Sequence, residues 1–269
     1  MARYPRCDFT AGGMSDALLD VAIAAARAAG EAIMRVYAEP FEVIQKSDQT
    51  PVTEADLASE RVIVRMLTEA FPDIPIVSEE TAPADGFRPP AARFWVVDPL
   101  DGTKEFIAKN GEFCVCIGLV EDGRPAMGVL HGPARDVIYA AHGPGTALRI
   151  RGAAAAERIA ARAPASDGID VIHSRTNANS RRLAEYFEGR PIRKRISCGS
   201  ALKFGVLAAG EADLYPRFGT TMEWDTAAGQ AILEAAGGSV VRVAGGPLAY
   251  GKDDLKNDAF LAWGAKPAW

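Results

Sequence analysis

Apolar side chains recur every three or four residues in several stretches of the chain, and this spacing predicts amphipathic helices. The two clearest stretches are residues 15–37 and 53–71, and the second ends at Pro72. Three more stretches with helical spacing follow in the second half of the chain, at about residues 177–188, 200–210 and 225–236. We therefore expect a pair of helices near the start of the chain and further helices spread over its second half.

Apolar runs bounded by turn residues predict the strands. Between Phe94 and Ile150 four such runs follow one another, and Glu121-Asp122-Gly123 is the clearest hairpin signal between them. This pattern predicts an antiparallel meander, preceded by a short strand over residues 74–80. In the second half, the segments DVIHS, RKRISC, ADLYPRF and SVVRV alternate with the helical stretches. The first half therefore has α+β character and the second half α/β character.

An alanine-rich stretch, residues 153–165, separates the two patterns. We expect a loose leader over residues 1–14, an α+β lobe with the antiparallel sheet over 15–155, and an α/β lobe over 156–269 that completes the functional site. The boundary is weak in composition, so the prediction is two closely packed lobes and not two independent domains.

Composition narrows the range of partners. A chain of 269 residues can bury a sizeable core, and its formal net charge of −5 argues against nucleic acid or an anionic membrane surface as the main partner. No apolar run approaches the length of a membrane span. An anionic small molecule is still a possible substrate, because a local cation can override the global charge. The expected location is the cytoplasm, with peripheral attachment to the inner membrane left open.

The four cysteines do not form a zinc pattern, because no Cys-x-x-Cys occurs and the three histidines are scattered. Cys114 and Cys116 lie two residues apart in an apolar run, so they would share one face of a strand. We expect buried free thiols in a reducing compartment.

The segment VVDPLDGTKEF, residues 96–106, carries the strongest chemical signal. An apolar run delivers Asp98 to the end of a buried strand, and Pro99 disfavours a helix there. Asp101 returns beside Asp98, and two such carboxylates repel each other unless a proton or a cation lies between them. Mg²⁺ takes oxygen ligands of this kind, and the Leu100 carbonyl can face the same space.

A possible helix N-terminus follows at Gly102-Thr103, where free N–H groups would attract phosphate. The alternative is structural: both acids and the threonine could serve turns and a helix cap. The segment by itself leaves the two interpretations open.

Three other element ends carry acids. Glu79 lies in Ser78-Glu79-Glu80, which alone is typical of a solvated loop. Asp225 lies in EWDTAAG and could be either a helix N-cap or a third carboxylate of the site. Thr53 and Asp56 fit a capping box, which is the favoured interpretation for that pair alone. Spacing cannot show that these acids converge.

The segments PVTEAD, SEE, WVVDPLDGT and EWDTAAG, in this order, resemble the inositol monophosphatase superfamily of Mg²⁺-dependent, lithium-sensitive phosphatases. The resemblance runs from about residue 15 to the C-terminus. It implies a layered α-β-α-β-α sandwich of the sugar-phosphatase type, two or three Mg²⁺ ions, and inhibition by Li⁺. It also implies metal ligands at Glu79, Asp98, Leu100 (through its carbonyl), Asp101 and Asp225. Thr103 and Asp56, together with Glu79, would position and activate the attacking water.

A narrower resemblance concerns the segments KEFI, NGEF, GSALKF and DLYPRFGTTMEWD. They are similar to the 3′(2′),5′-bisphosphate nucleotidases of bacterial sulfate assimilation, which convert adenosine 3′,5′-bisphosphate to AMP. An arginine at position 217 suits a second anionic phosphate, although it could also be a salt-bridged surface residue. The implied substrate contacts are Gly102, Thr103, Lys104, Gly199, Ser200, Lys203, Arg217 and Asp225. Cys114 and Cys116 depart from this group's usual threonine and asparagine.

Two kinds of alternative function are compatible with the sequence. One is a phosphatase of the same superfamily that acts on inositol 1-phosphate, histidinol phosphate or a sugar bisphosphate. The other is a scaffold protein of the transcription machinery, against which the full acid set and the negative net charge argue. The expected partner is a small phosphorylated nucleotide and not a nucleic acid, with either a monomer or a homodimer as the assembly.

Overall fold

The computed structural model describes residues 14–45, 51–82, 91–175 and 181–265. The expected leader therefore lies, except for Met14, outside the described residues. The first part of the helix expected at 177–188 lies outside them as well, and the described part is helical from Arg181 to Tyr186. The boundary between the two expected lobes stays a prediction.

Within these ranges the chain forms six α-helices and a short 3₁₀-helix at Pro133–Arg135. The α-helices are α1 (Met14–Ala38), α2 (Glu54–Ala70), α3 (Thr103–Ile107), α4 (Arg181–Tyr186), α5 (Leu202–Ala208) and α6 (Ala227–Ala235). Among the described residues, none of these helices has both the length and the hydrophobicity that a transmembrane span requires.

The described strands, in chain order, are β1 (Val43–Gln45), β2 (Pro51–Thr53), β3 (Ile76–Ser78), β4 (Arg93–Asp101), β5 (Cys114–Glu121), β6 (Arg124–Gly132), β7 (Val137–Ala141), β8 (Leu148–Arg151), β9 (Glu157–Arg158), β10 (Ile169–His173), β11 (Ile192–Ser197), β12 (Leu214–Arg217), β13 (Thr221–Met222), β14 (Ser239–Arg242), β15 (Lys256–Asn257) and β16 (Phe260–Trp263). The predicted strands are all present. The paired short strands β1–β2 and β13–β15 were not predicted, because two or three residues are too few to show a period.

The first half of the chain builds a seven-stranded sheet in which β3 to β9 are neighbours in chain order. β3 runs parallel to β4, and every later pair is antiparallel. The turn between β5 and β6 pairs Glu121 with Arg124, and both Asp122 and Gly123 have positive φ, as a two-residue hairpin turn requires. The predicted meander and its clearest turn are confirmed.

A second sheet has the order β11-β10-β12-β16-β14. Its first three strands are parallel, in keeping with the alternation of strands and helices, while β16 runs antiparallel to both β12 and β14. β16, at Phe260–Trp263, was not predicted from the sequence. The α/β description of this half is therefore right for the parallel part of the sheet and incomplete at the chain's end.

Helices fill the space on both sides of each sheet. α1 and α2 cover one face of the large sheet, where Ile33, Ile63 and Trp95 belong to one buried cluster. α5 and α6 lie between the two sheets, and α4 packs on the outer face of the second sheet through Leu183. The layers are therefore α-β-α-β-α, which confirms the expected sandwich.

The contact between α6 and the large sheet is close enough to require glycine. A Cβ at Gly128 in β6 would lie 2.1 Å from the carbonyl oxygen of Ala228, and one at Gly118 in β5 would lie 3.0 Å from the Cβ of Ala227. The start of α6 is thereby pressed against the middle of the sheet. Asp225 lies two residues before the helix that makes this contact.

Candidate functional site

The acids of β4 share one face because of how β4 pairs with β5. Asp98 lies opposite Cys116 and Asp101 lies opposite Cys114, with an irregularity in the register between the two pairs. The two cysteines are two residues apart and so point to the same face, and opposite residues of an antiparallel pair also share a face. A bulge at Pro99 and Leu100 therefore brings carboxylates three residues apart onto one surface.

The structure brings together three of the predicted metal ligands. Carboxylate oxygens of Asp98, Asp101 and Asp225 all lie within 4.8 Å of one another. Burial raises the pKa of Asp98 well above its usual range, and the charges of Glu79, Asp101 and Asp225 raise it further. Burial also raises the pKa of Asp225 to about 8, with Asp101 as the next cause. A divalent cation would relieve this repulsion, and an all-oxygen donor set suits Mg²⁺.

Glu79 and Leu100 extend this cluster. The Glu79 N–H donates to the Val97 carbonyl at 3.1 Å, so the residue that follows β3 lies beside β4 at the position before Asp98. The Leu100 N–H donates to Asp98 Oδ1 at 3.0 Å, and the Leu100 carbonyl oxygen lies 3.5 Å from Thr103 Oγ1. The charge of Glu79 also raises the pKa of Asp98, after burial as the main cause, so Glu79 lies near the cluster. The metal-ligand roles of Glu79 and of the Leu100 carbonyl stay predictions.

Asp225 does not act as an N-cap. Its Oδ2 accepts a hydrogen bond from the Met222 N–H at 2.8 Å, and α6 begins only at Ala227, with Thr226 as an N-cap residue whose side chain makes no capping bond. The N-cap interpretation is therefore wrong, because the carboxylate closes a turn before the helix. The Glu223 carbonyl oxygen accepts from the Thr226 and Ala227 N–H groups, so Glu223 belongs to the same turn.

Glu223 is fully buried, and its anchoring role was not recognised from the sequence. Its carboxylate accepts from the Gly251 N–H at 2.7 Å and the Lys252 N–H at 3.0 Å, and it pairs with Lys252 Nζ at 2.6 Å. These partners lie almost thirty residues away in sequence, so no local pattern could have indicated them.

Asp56 serves the capping box and the site at once. Its Oδ2 accepts from the Thr53 N–H at 2.8 Å and from the Thr53 hydroxyl at 2.7 Å, which confirms the predicted cap of α2. The Thr103 hydroxyl lies 3.4 Å from the other oxygen, Oδ1. The structural interpretation of Asp56 and the interpretation as part of a dyad are therefore compatible.

The remaining substrate candidates lie around Asp101. Gly102 is the N-cap of α3 with φ +96°, and no side chain caps the helix there. The Ala201 N–H donates to Asp101 Oδ2, and Ser200 has φ +54° in the turn that makes this contact possible. Gly199 is packed so closely that a Cβ would lie 2.6 Å from the backbone oxygen of Glu112.

Of the two lysines predicted to contact substrate, one is exposed and one is buried. Lys104 is exposed in the first turn of α3. Lys203 is buried, and its Nζ donates to the carbonyl oxygens of Cys198 and Ser200. Burial raises the pKa of Asp101, and the positive charges of Lys203 and Arg217 act in the opposite direction. Lys203 therefore supplies charge beside Asp101 while it holds the turn before α5.

Arg217 lies between the carboxylate cluster and a neighbouring cavity. Its charge also acts on Asp225, and its guanidinium donates to the Thr220 carbonyl at 3.1 Å. The cavity has a volume of about 200 Å³. Besides Arg217, it is lined by two other residues with nitrogen-containing side chains, His173 and Arg182. Its lining residues are His173, Ser174, Arg182, Leu183, Pro216, Arg217, Phe218 and Gly219. His173 and Arg182 were not predicted from the sequence, because they lie on other elements than Arg217.

The buried side chain of Glu112 stabilises the turn that contacts Asp101. Glu112 is 4% exposed and pairs with Arg135 at 2.8 Å and with Arg175 at 2.7 Å, while its Oε2 accepts from the Gly199 N–H at 2.8 Å. Burial would raise the pKa of Glu112, but the hydrogen bonds from Arg175 and Gly199 outweigh it and the pKa is lowered. The motif NGEF contains this residue, but nothing local to it indicated these distant partners.

Comparisons with known proteins agree with this geometry. Residues 14–266 match the model of the inositol monophosphatase family. A protein named 3′(2′),5′-bisphosphate nucleotidase CysQ from Escherichia coli O157:H7 is 44% identical over 244 residues, which are 87% of this chain and 94% of that one. Its namesake from Salmonella typhimurium is 46% identical over 228 residues, 84% of this chain and 90% of that one. The crystal structure of CysQ from Bacteroides thetaiotaomicron, 36% identical, superposes with a TM-score of 0.82 over 94% of this chain and 98% of that one.

Proposed function

Because the chain belongs to the inositol monophosphatase family, we propose that the acid cluster hydrolyses a phosphate monoester and that the substrate is adenosine 3′,5′-bisphosphate. Water attacks the 3′-phosphorus, the bond between phosphorus and the 3′-oxygen breaks, and the products are AMP and inorganic phosphate. The convergence of Asp98, Asp101 and Asp225 within 4.8 Å is the observation that carries this proposal. The relatives named as bisphosphate nucleotidases, similar over most of both chains, support the substrate class.

The donor set fits Mg²⁺, which the three aspartates, Glu79 and the Leu100 carbonyl would hold. When bound, Mg²⁺ neutralises the charge of the phosphate and lowers the pKa of water. In its absence, burial and, after it, repulsion among the carboxylates raise the pKa of Asp98 and of Asp225, so both effects favour protons on the cluster. The number of ions and inhibition by Li⁺ stay expectations from the family resemblance.

Thr103 and Asp56 orient the attacking water and receive its proton. The Thr103 hydroxyl donates to Asp56 Oδ1 at 3.4 Å, so its oxygen is left free to accept from water. Asp56 cannot rotate away, because Thr53 holds its other oxygen through two hydrogen bonds. The proton therefore has a short path from water through the threonine oxygen to a fixed carboxylate.

The phosphate groups are held by nitrogen donors on the two sides of the acid cluster. The uncapped N-terminus of α3 at Gly102 offers N–H groups to the reacting phosphate. Arg217 faces both the cluster and the cavity that His173 and Arg182 line, so it can bind the second phosphate with its guanidinium. This placement favours a bisphosphate over inositol 1-phosphate, which has no second anionic group.

The decisive experiment is phosphate release from a panel of substrates, with and without Mg²⁺. The panel contains adenosine 3′,5′-bisphosphate, its 2′ isomer, its 5′-phosphosulfate relative, inositol 1-phosphate, histidinol phosphate and fructose 1,6-bisphosphate. We expect Mg²⁺-dependent release with the highest kcat/KM for a nucleotide, and almost none from the Asp98→Asn variant. A higher kcat/KM for inositol 1-phosphate would overturn the substrate assignment. Wild-type turnover in folded Asp98→Asn would overturn the metal assignment.

The assembly and the cellular location are further expectations. We expect a cytoplasmic enzyme that is monomeric or homodimeric, and sedimentation in the presence of substrate would decide the assembly.

A further inference from the structure

Two thiols lie against the carboxylate cluster and have no part in the proposed reaction. Cys114 and Cys116 are buried on β5, and their Sγ atoms are 3.7 Å apart. Cys114 Sγ lies 4.0 Å from Asp101 Oδ2 and 3.5 Å from Ser200 Oγ. The ligand atoms of Asp101, Cys114 and Cys116 all lie within 4.8 Å of one another. The Asp101 carboxylate therefore lies close both to the carboxylates of Asp98 and Asp225 and to the two thiols.

The spacing of these atoms matches tetrahedral coordination. With Zn–S bonds of about 2.3 Å and Zn–O bonds of about 2.0 Å, two sulfur ligands of one zinc ion lie about 3.8 Å apart, and a sulfur and an oxygen ligand lie about 3.5 Å apart. The sulfur atoms here are 3.7 Å apart, and the nearer sulfur is 4.0 Å from the Asp101 oxygen. The third separation, between Cys116 Sγ and the Asp101 carboxylate, is at most 4.8 Å. An ion could therefore contact all three groups after a shift of about 1 Å.

The strand pairing makes this arrangement a property of the fold. Cys114 lies directly opposite Asp101 in the β4–β5 register, and Cys116 follows two residues later on the same face. The Ala201 N–H donates to Asp101 Oδ2 and so holds the carboxylate beside the thiols. The pair is thus presented by a rigid strand and not by a loop.

We propose that Cys114, Cys116 and Asp101 form a binding site for a thiophilic divalent ion such as Zn²⁺ or Cd²⁺, distinct from the all-oxygen Mg²⁺ set. Soft thiolate ligands select such ions, whereas Mg²⁺ prefers oxygen. Binding releases the two thiol protons to solvent and transfers no electrons. Occupancy draws Asp101 away from Asp98 and Asp225, so the ion inhibits phosphate hydrolysis. This inhibitory consequence rests on the proposed function, whereas the binding itself does not.

The binding test follows the absorption of the sulfur-to-cadmium charge-transfer band. The full chain is titrated with Cd²⁺ in excess Mg²⁺, in a Cys7→Ser background, because Cys7 lies outside the described residues. We expect one strongly bound ion per chain with a thiolate band. Either serine variant, Cys114→Ser or Cys116→Ser, should weaken binding at least tenfold and reduce the band.

The matched control is Cys198→Ser, which removes a buried thiol that is not one of the three grouped ligands. It should keep both the band and the affinity. A folded protein without a band, or a band that survives in full in Cys116→Ser, would overturn the proposal. Should a serine variant fail to fold, the alanine variant at the same position removes the ligand without burying a hydroxyl.

The inhibition test measures phosphate release at saturating Mg²⁺ with increasing Zn²⁺. Each variant is compared with its own Zn²⁺-free rate. We expect the Zn²⁺ concentration for half-inhibition to rise at least tenfold in Cys116→Ser and to stay unchanged in Cys198→Ser. If the chain releases no phosphate from any substrate, the proposed function fails while the Cd²⁺ band can still appear. If phosphate is released and Zn²⁺ inhibits Cys116→Ser as strongly as wild type, the inhibitory site is refuted alone.

Discussion

The hydroxyl of Thr103 lies 3.4 Å from one oxygen of Asp56, while the other oxygen of that carboxylate closes the capping box of α2. The Asp56 side chain thus stabilises the N-terminus of α2 and also contacts the threonine that is proposed to orient water. The two residues are 47 positions apart in the chain. Because the two oxygens of Asp56 have different partners, its contribution to stability and its contribution to catalysis can be measured separately.

The first prediction concerns the two threonines that contact Asp56, Thr53 at Oδ2 and Thr103 at Oδ1. Thr103→Ala removes the hydroxyl that would orient water, and we expect kcat to fall by about 10²-fold or more because general-base catalysis typically contributes that much. The unfolding free energy should change little, since Thr103 is only half-buried. Phosphate-release kinetics and urea unfolding measure the two quantities.

Thr53→Ala is the matched control for that variant. It removes the side-chain half of the cap, so the unfolding free energy should fall by about 1 kcal/mol. The Thr53 N–H still holds Asp56 at 2.8 Å, so kcat should fall far less than in Thr103→Ala. A Thr103→Ala variant as active as Thr53→Ala would remove Thr103 from the reaction.

The second prediction concerns the metal-free protein and pH. Burial raises the pKa of Asp225 to about 8, with Asp101 and Glu79 contributing, and burial raises the pKa of Asp98 in the same direction. In the unfolded chain an aspartate titrates near pH 4, roughly. Between these values the native state binds a proton that the unfolded state does not, so stability falls as pH rises through this window.

Mg²⁺ should reverse that trend, because the ion takes the place of the protons. We expect urea unfolding in EDTA to show lower stability at about pH 8.5 than at about pH 5.5, and Mg²⁺ to stabilise more at the higher pH. Asp225→Asn keeps an acceptor for the Met222 N–H and should flatten the pH dependence. Identical pH profiles with and without Mg²⁺ would contradict the assignment of the acids to the metal.

The sequence predicted the local parts of this molecule and not its long-range contacts. Asp98 and Asp101 could be predicted as site residues because they follow an apolar run typical of a buried strand. The Thr53–Asp56 cap could be predicted because the capping-box pattern spans only four residues. The partners of Glu223 and Glu112 were invisible, because Lys252 and Arg175 lie far away in the chain. Convergence of the acids came from a family resemblance, since spacing alone does not place β3, β4 and α6 together.

Two features of the structure were not decided by the sequence. Asp225 has the position of an N-cap in the sequence, yet a turn to Met222 competes for its carboxylate and the helix starts later. The strand Phe260–Trp263 is only four residues long, and its pairing with β12 and β14 decides its conformation. A local turn decides the first case, and pairing with distant strands decides the second.

The third prediction tests recognition of the second phosphate. Arg217→Glu should raise KM for adenosine 3′,5′-bisphosphate much more than for inositol 1-phosphate, because it replaces a bidentate donor with a like charge. Arg65→Glu, at an exposed position of α2, makes the same change in net charge and should leave both KM values nearly unchanged. Equal increases for the two substrates in Arg217→Glu would exclude Arg217 from phosphate recognition.

The last prediction concerns the packing that positions Asp225. A Cβ at Gly128 would lie 2.1 Å from the backbone oxygen of Ala228, and a backbone atom cannot move aside as a flexible side chain can. We expect Gly128→Ala to lower the unfolding free energy by about 1–3 kcal/mol or more.

Gly219→Ala is the control, because its nearest neighbouring atoms, in the Arg217 side chain, are 3.9 Å from the added carbon. It should change stability by no more than about 0.5 kcal/mol. Since α6 must shift to accommodate Ala at position 128, Asp225 moves with it, and the Mg²⁺ concentration for half-maximal phosphate release should rise. A destabilised Gly128→Ala variant with an unchanged Mg²⁺ requirement would show that the packing of α6 on the sheet does not set the position of the third carboxylate.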